Sequence, residues 1–123
     1  KPLTMRTSEG LEVMVGKNNI QNDQLTFKMA SPFDLWFHVK DIPGSHTVLF
    51  CSGKEYGKDY TEQSILEAAQ IAAGHSRAAQ SSRVPVDYAE RRYVKKPSGS
   101  KPGFVIYTHQ KTLFVEPQSS EST

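Results

Sequence analysis

The sequence predicts an α+β domain with a mostly antiparallel sheet and one long helix packed on it. Segments with the alternating apolar pattern of strands lie at both ends of the chain, and one segment with helical periodicity lies between them. Strands and helices do not alternate along the chain, which argues against a doubly wound parallel sheet. With 123 residues, 37% of them hydrophobic, the chain is long enough for one hydrophobic core.

The first two strands are predicted where apolar and polar residues alternate, in "LEVMV" (11–15) and "LTFKM" (25–29). Between them lies "GKNNIQND" (16–23), which is rich in Gly, Asn and Asp. These residue types favour turns and tolerate left-handed backbone. We therefore expect the two strands to form a hairpin or a near-hairpin.

A third strand is predicted at "DLWFHVK" (34–40), where alternation divides the side chains between the two faces of the sheet. One face carries Leu35, Phe37 and Val39, and the other carries Asp34, Trp36, His38 and Lys40. After the Pro43-Gly44 bend, "HTVLFCSG" (46–53) is nearly continuous in apolar residues. We expect this segment to be a fourth, more deeply buried strand.

The helix is predicted within "DYTEQSILEAAQIAAGHSRAAQSS" (59–82), with Asp59 or Thr61 as its N-cap. Small side chains recur at helical spacing along it, so the helix can approach the sheet closely. Gly74 is expected inside the helix, where close packing would explain it better than helix propensity.

The C-terminal part predicts a short strand or turn at "RRYVKK" (91–96), the loop "KPSGSKPG" (96–103), and a hairpin of "FVIYT" and "TLFVE" around "HQK". Residues 1–117 are expected to form one domain, and the polar residues 118–123 a disordered tail.

Composition predicts a soluble protein. No apolar run approaches the roughly 20 residues of a membrane helix, so we expect no membrane insertion. The one cysteine, Cys51, lies in an apolar segment and predicts a buried thiol and a cytoplasmic setting. The chain begins without methionine, so we expect it to be a domain of a longer protein, monomeric when isolated.

Charge is unevenly distributed along the chain. Residues 83–111 contain seven basic and two acidic residues, although the whole chain carries a net charge of only +2. Such a bias is typical of a surface that faces a polyanion, and a solvated basic face would explain it equally well.

The segment "HVKDIPGSH" (38–46) places His38 and His46 on either side of a Pro-Gly-Ser bend, and it allows three kinds of site. A zinc site could use both histidines and Asp41, but the spacing matches no zinc motif. A nucleophilic site could use Ser45 or Cys51, but no catalytic motif surrounds either residue.

The third kind of site is a binding loop, in which the N–H groups of Gly44, Ser45 and His46 hold an anion and Trp36 offers a stacking surface. The simpler alternative is that Trp36 and His38 only cover the second face of the sheet. Their position on one strand face next to a glycine bend favours the binding loop, so we expect neither catalysis nor a cofactor.

Two further segments carry groups suited to RNA. Amide side chains and a lysine suit base edges, sugars and phosphate in the segment that contains Lys17, Asn18, Asn19, Gln21 and Asn22. The C-terminal loop combines Tyr93 with five cations, Arg91, Arg92, Lys95, Lys96 and Lys101. Asn-rich segments also build turns without any ligand.

Taken in order, "VGKNNIQNDQLTFKMA", "DLWFHVKDIPGSHTVL" and "VDYAERRYVKKPSGSKPGFVIY" resemble the NFACT-R domain. This is the C-terminal module of the family that contains NEMF, bacterial RqcH and the fibronectin-binding protein A-like proteins of Gram-positive bacteria. The resemblance extends from about Glu9 to Val115. Its signature matches Asp34, Trp36, His38, Asp41, Pro43, Gly44, Ser45 and His46, and its polar loop matches Lys17, Asn18, Asn19, Gln21 and Asn22.

The resemblance implies a non-catalytic, RNA-binding module of a ribosome-associated quality-control protein. Its implied partners are tRNA and the large ribosomal subunit, reached together with N-terminal domains that this sequence does not contain. The family's other name implies a rival function, a fibronectin-binding adhesin on the cell surface that lacks a signal peptide. The residues themselves do not distinguish the two functions.

Overall fold

A computed structural model describes residues 1–118 of the chain. Its main feature is a six-stranded, antiparallel sheet in the order β1-β2-β4-β3-β5-β8. The strands are β1 (Leu3–Arg6), β2 (Glu12–Val15), β3 (Leu35–Val39), β4 (Thr47–Leu49), β5 (Val84–Glu90) and β8 (Lys111–Val115). Two short strands, β6 (Val94–Lys95) and β7 (Ile106–Tyr107), pair separately. The predicted α+β class with a mostly antiparallel sheet is confirmed.

One face of the sheet packs on helix α2 (Glu62–Gly74). The buried side of the helix is formed largely by small residues, among them Ala68, Ala69, Ala72 and Ala73, which bring the helix axis close to the strands. Phe37 of β3 lies in this core and stacks on Tyr88, as the alternation of the third strand predicted. Cys51 is buried at its edge, also as predicted.

The second face is covered by three short elements. Helix α1 (Asn19–Gln24) continues into a π-helical turn (Leu25–Met29), and the β6-β7 ribbon lies beside it. Leu25, Trp36, Val48 and Val94 form a second apolar cluster beneath these elements. The second face of the sheet is therefore covered by a layer with its own apolar core, and the polar segments identified in the sequence meet there.

Two predictions about the elements are wrong, and one strand was missed. "LTFKM" is a π-helical turn instead of a strand, because Leu25 and Thr26 are both buried and the Ala30 N–H closes on the Leu25 carbonyl. The predicted C-terminal hairpin is absent from the described residues, since β7 pairs with β6 and β8 pairs with β5. Strand β5, next to the centre of the sheet, was not predicted.

Helix α2 is shorter than the segment that predicted it. Thr61 is its N-cap and accepts a hydrogen bond from the Gln63 N–H, which decides between the two predicted caps. Gly74 is the last residue of the helix, and His75 is its C-cap. Gln118, the one described residue of the predicted tail, donates from its main chain to Gln70. The rest of the tail, 119–123, lies outside the described residues.

In the described part of the chain, no helix has the length and apolar character needed to cross a membrane.

Candidate nucleic-acid interface

A basic, polar groove opens at one end of the sheet, where three segments meet. These segments are the turn from β2 into α1, the β3-β4 loop, and the residues after α2. The groove, of about 330 Å³, is lined by Lys17, Asn18, Asn19, Asn22, Pro43, Gly44, Ser45, His75, Ser76 and Arg77. We call it the basic groove. Lys17 and Arg77 are exposed, and its lining contains no carboxylate.

Asn22 holds the first two segments together. Its Oδ1 accepts a hydrogen bond from the buried His46 N–H at 3.1 Å, and the Gly16 N–H donates to the His46 carbonyl at 3.0 Å. A side chain at Gly16 would clash, because its Cβ would lie 2.0 Å from Asn22 Oδ1. Asn22 is therefore a buried structural residue, and it fixes where Lys17 emerges.

The start of α1 uses two of the predicted amide side chains for its own structure. Asn18 caps the helix by accepting from the Gln21 N–H at 2.9 Å, and Gln21 Oε1 accepts from the Lys17 N–H at 2.9 Å. The side chains of Lys17 and Asn19 remain exposed.

The β3-β4 loop is tied to the end of α2. Gly44 forms an isolated antiparallel bridge with Ser76, and the Ser45 N–H reaches the His75 carbonyl at 3.4 Å. Because the Ser45 and His46 N–H groups are both engaged inside the protein, the predicted anion-binding concavity of three free N–H groups does not form. An anion in the basic groove would therefore have to be bound by side chains.

A second groove adjoins the first and shares Pro43 with it. We call it the aromatic groove; it measures about 410 Å³ and is lined by Trp36, His38, Asp41, Ile42, Pro43, His46, Gly103, Phe104, Val105 and Tyr107. Trp36 is buried, and its ring centroid lies 5.8 Å from that of His38, 5.2 Å from that of His46 and 4.8 Å from that of Tyr107. Among the described residues, the buried Trp36 Nε1 has no hydrogen-bond partner.

His46 is buried beneath this groove and fully hydrogen-bonded. Its Nε2 lies 3.0 Å from the Gly103 carbonyl, which can only accept, so Nε2 carries the proton and Nδ1 accepts from the Thr26 hydroxyl at 2.8 Å. Burial, reinforced by the neighbouring His38, lowers the pKa of His46 to about 4. The imidazole is therefore neutral at pH 7 and joins the π-helical turn to the C-terminal loop.

His38 is half-buried, and its Nδ1 donates to the Val39 carbonyl at 2.6 Å. Burial lowers the pKa of His38 as well, which outweighs the opposing effect of its contacts with main-chain carbonyl groups. Within residues 1–118, no three His, Cys, Asp or Glu side chains are grouped closely enough to hold a metal ion.

The C-terminal loop is anchored on α1 through Lys96. Its Nζ donates to the carbonyls of Lys101 (2.6 Å) and Phe104 (3.0 Å) and lies 3.3 Å from Asp23 Oδ2. Asp23 also accepts from the Gly103 N–H at 2.9 Å. These contacts bring the loop against the polar segment at α1 and place Phe104 in the wall of the aromatic groove. Lys96 is thus a structural cation.

Arg91 and Arg92 pack against other parts of the same layer. Arg91 donates to the Thr26 carbonyl at 2.6 Å and lies over the Phe27 ring, and partial burial lowers its pKa. Arg92 pairs with Glu90 and covers aromatic rings. Neither lines either groove.

The largest cavity described, about 470 Å³, lies at the opposite end of β3 and β5. Tyr56, Tyr88 and Tyr93 form part of its wall together with Glu62 and Glu90. Its wall also contains Lys111, so it combines two carboxylates with one lysine. This cavity is therefore a poorer candidate for nucleic acid than the smaller basic groove, which has cations and no carboxylate.

The sequence profile of the NFACT protein RNA binding domain family matches residues 1–108. This chain belongs to that family. It is 52% identical over 116 residues to the Rqc2 homolog RqcH of Bacillus subtilis, an alignment that covers 94% of this chain and 19% of the relative. The corresponding protein of Streptococcus suis is 50% identical over 105 residues, with 85% of this chain and 18% of the relative covered.

A solved structure has the same fold. It is described as the C-terminal of the fibronectin/fibrinogen-binding protein from Streptococcus suis, and it superposes with a TM-score of 0.87 at 47% identity. The match covers 96% of this chain and 46% of the relative. This chain thus spans about a fifth of the length of the curated NFACT-R relatives it matches.

In this NFACT-R member the predicted site residues divide into two groups. Those with solvent-facing side chains are Lys17, Asn18, Asn19, Asp41, Arg92, Lys95 and Lys101, and those that are partly covered are Gln21, His38, Gly44, Ser45, Arg91 and Lys96. Asn22, Asp34, Trp36 and His46 are buried. Asp34, for example, accepts from the N–H groups of Ser31 and Ser52. Buried members support the surface and do not offer it contact groups.

Sequence reasoning missed Arg77, Ser76 and Phe104. The first two were assigned to the interior of the predicted helix, which in the structure ends at Gly74. Phe104 was assigned to a strand, and no local pattern predicted that it would reach a groove formed by β3.

Proposed function

We propose that this chain is a non-catalytic RNA-binding module of a ribosome-associated quality-control protein of the RqcH type, acting in the cytoplasm. The observation that carries the proposal is the basic groove, in which Lys17 and Arg77 emerge from distant segments beside exposed amide groups, with no carboxylate in the lining. Lysine and arginine at such a site suit phosphate, and amides suit sugars and base edges.

The family supports the same conclusion. It is described as an RNA-binding domain, and the curated relatives are named Rqc2 homologs. The proposed ligands are therefore tRNA and the RNA of the large ribosomal subunit, which the whole protein would engage together with its other parts. The exposed Lys95 and Lys101 extend the positive surface along the C-terminal loop that is anchored on α1.

Titration of the purified chain with labelled tRNA and, separately, with fibronectin tests the proposal at about 50 and 200 mM salt. We expect tRNA binding that weakens steeply with salt, because phosphate contacts release counterions. A protein–protein contact with fibronectin would depend on salt less steeply. Salt-insensitive fibronectin binding without tRNA binding would overturn the proposal and favour an adhesin.

A further inference from the structure

We propose that the aromatic groove binds one unpaired guanine base of the RNA whose phosphates lie in the basic groove. This inference rests on the proposed function and names the nucleotide that the surface selects. The two grooves share Pro43 and so lie next to each other, which allows one RNA strand to contact both.

Phe104 supplies a stacking surface held in place by its neighbours. Its side chain is 55% exposed, although it lies on a loop whose backbone is fixed by Lys96 and by the hydrogen bonds of Gly103 to Asp23 and His46. An exposed phenyl ring on an anchored loop suits an unstacked base, since every base offers a π face. The size of the groove, about 410 Å³, accommodates one.

The polar groups of the groove point to the identity of the base. His46 uses both ring nitrogens inside the protein, and the Tyr107 hydroxyl donates to Asp87 at 2.7 Å. His38 makes hydrogen bonds to the main chain at Val39 and Gly44. The carboxylate of Asp41 is exposed, and no described residue donates a hydrogen bond to it. Asp41 is therefore the exposed side-chain acceptor that we assign to the ligand.

A carboxylate beside an RNA surface repels phosphate, so its favourable contact is with a base edge. Asp41 has two acceptor oxygens and no donor. Guanine presents two adjacent donors, N1–H and the 2-amino group, whereas adenine and cytosine place a ring acceptor next to their amino group. Uracil presents one N–H between two carbonyls. Guanine alone matches both oxygens.

The backbone at Asp41 is held in a conformation that few residues adopt. Its φ is +60°, in the left-handed region, which asparagine and aspartate tolerate better than other non-glycine residues. Asn can therefore replace Asp41 without added backbone strain. This makes Asp41→Asn a clean test, because it removes the charge and one acceptor but preserves the turn.

The experiment measures fluorescence anisotropy of a short oligouridine, of the same oligomer with one central guanosine, and of its inosine analogue, which lacks the 2-amino group. We expect the wild-type chain to bind the guanosine oligomer roughly 5- to 150-fold more tightly than oligouridine, the range of one bidentate base contact. The affinity for the inosine oligomer should lie between the other two. Asp41→Asn should abolish the preference and leave oligouridine affinity no weaker.

Two matched controls complete the design. Glu55→Gln removes an exposed carboxylate outside both grooves and should keep the guanosine preference. Phe104→Ala should weaken binding of every oligomer roughly 5- to 150-fold, whereas Phe114→Ala, at a ring 56% exposed on β8, should not.

Equal, salt-dependent binding of all three oligomers by the wild-type chain would overturn the guanine proposal while RNA binding stands. Retention of the preference in Asp41→Asn would overturn it as well. Failure of every oligomer and of tRNA to bind would overturn both proposals.

Discussion

His46 connects two distant segments through its two ring nitrogens, and its burial favours the neutral form. Burial lowers its pKa to about 4, so between pH 6.5 and 4 the unfolded chain binds a proton that the folded chain does not. Stability is therefore greatest above pH 6.5 and falls as pH falls toward 4. The full shift corresponds to about 3 kcal/mol.

Replacement of His46 by Gln, which keeps a donor but does not titrate, tests this link. Urea unfolding followed by Trp36 fluorescence should show that the wild-type chain loses about 2 kcal/mol between pH 7 and pH 5 through this residue. The loss should be smaller in His46→Gln. A remainder is expected because burial also lowers the pKa of His38. An identical loss in both proteins would show that His46 is not the titrating group.

Lys95 and Lys96 are neighbours with different roles. Lys96 Nζ makes two main-chain hydrogen bonds and an ion pair with Asp23, whereas Lys95 is exposed. We expect Lys96→Met to lower the free energy of unfolding by about 1–2 kcal/mol, since carbonyls and a carboxylate lose a charged partner. Lys95→Met should change it by less than about 0.5 kcal/mol. Urea denaturation of both variants measures the difference, and equal values would contradict the structural role of Lys96.

At the level of elements, alternation predicted the strands whose pattern and burial agree. β2 and β3 each place one apolar face in the core that α2 covers, so their patterns were informative. β5 escaped prediction because Pro85 and Asp87 are unfavourable inside a strand. Contacts from distant segments stabilise the buried carboxylate of Asp87 within the strand. The hydroxyl groups of Tyr107 and Thr112 donate hydrogen bonds to it, and Lys40 Nζ lies 3.5 Å from it.

The candidate site was predictable in its segments but not in the role of each residue. The sequence indicated that the polar segment at α1, the β3-β4 loop and the C-terminal loop carry RNA-binding groups, and the structure brings all three together. Composition could not reveal that Lys96 is paired with Asp23 or that Asn22 is buried beside His46, because both facts depend on partners far away in the chain.

The close approach of the C-terminal loop to α1 depends on Gly103. Its φ is +86°, and an added Cβ would lie 2.7 Å from Asn19 Oδ1. Gly99 has a similar φ of +75° but open space around it. Both Gly→Ala variants carry the strain of positive φ, so their difference isolates the clash.

We expect Gly103→Ala to be about 1–3 kcal/mol less stable than Gly99→Ala, the range for overpacking a tight contact. The RNA affinity of Gly103→Ala should also fall, because the loop that carries Phe104 is displaced. Urea unfolding and anisotropy measure the two effects. Equal free energies of unfolding for the two variants would mean that the loop can shift away from α1 without loss of stability. Its position on α1 would then not be specific.

For the molecule as a whole, the fold separates two kinds of surface. The basic groove lies where β2, the β3-β4 loop and the end of α2 meet, and the cavity with Glu62 and Glu90 lies at the other end of β3 and β5. A polyanion is therefore attracted more strongly to the basic groove than to the end with this cavity, where two carboxylates face one lysine. A net charge of +2 conceals this division.

The salt dependence of RNA binding measures how many cations of that end contact phosphate. The exposed candidates Lys17, Arg77, Lys95 and Lys101 would give a log–log slope near −3 on single-stranded RNA, at about −0.7 for each contact. Lys17→Ala combined with Arg77→Ala should therefore reduce the slope to about −1.4. Affinity for every oligomer should fall together, because phosphate contacts carry no sequence information.

The matched control for that double variant is Lys54→Ala with Lys58→Ala, which removes two exposed lysines from the loop before α2. These lysines line neither groove, so the slope should stay near the wild-type value. Equal slopes for the two double variants would mean that any exposed cation serves equally well. RNA would then bind through general attraction to the domain, and the convergence of distant segments on the basic groove would have no part in recognition.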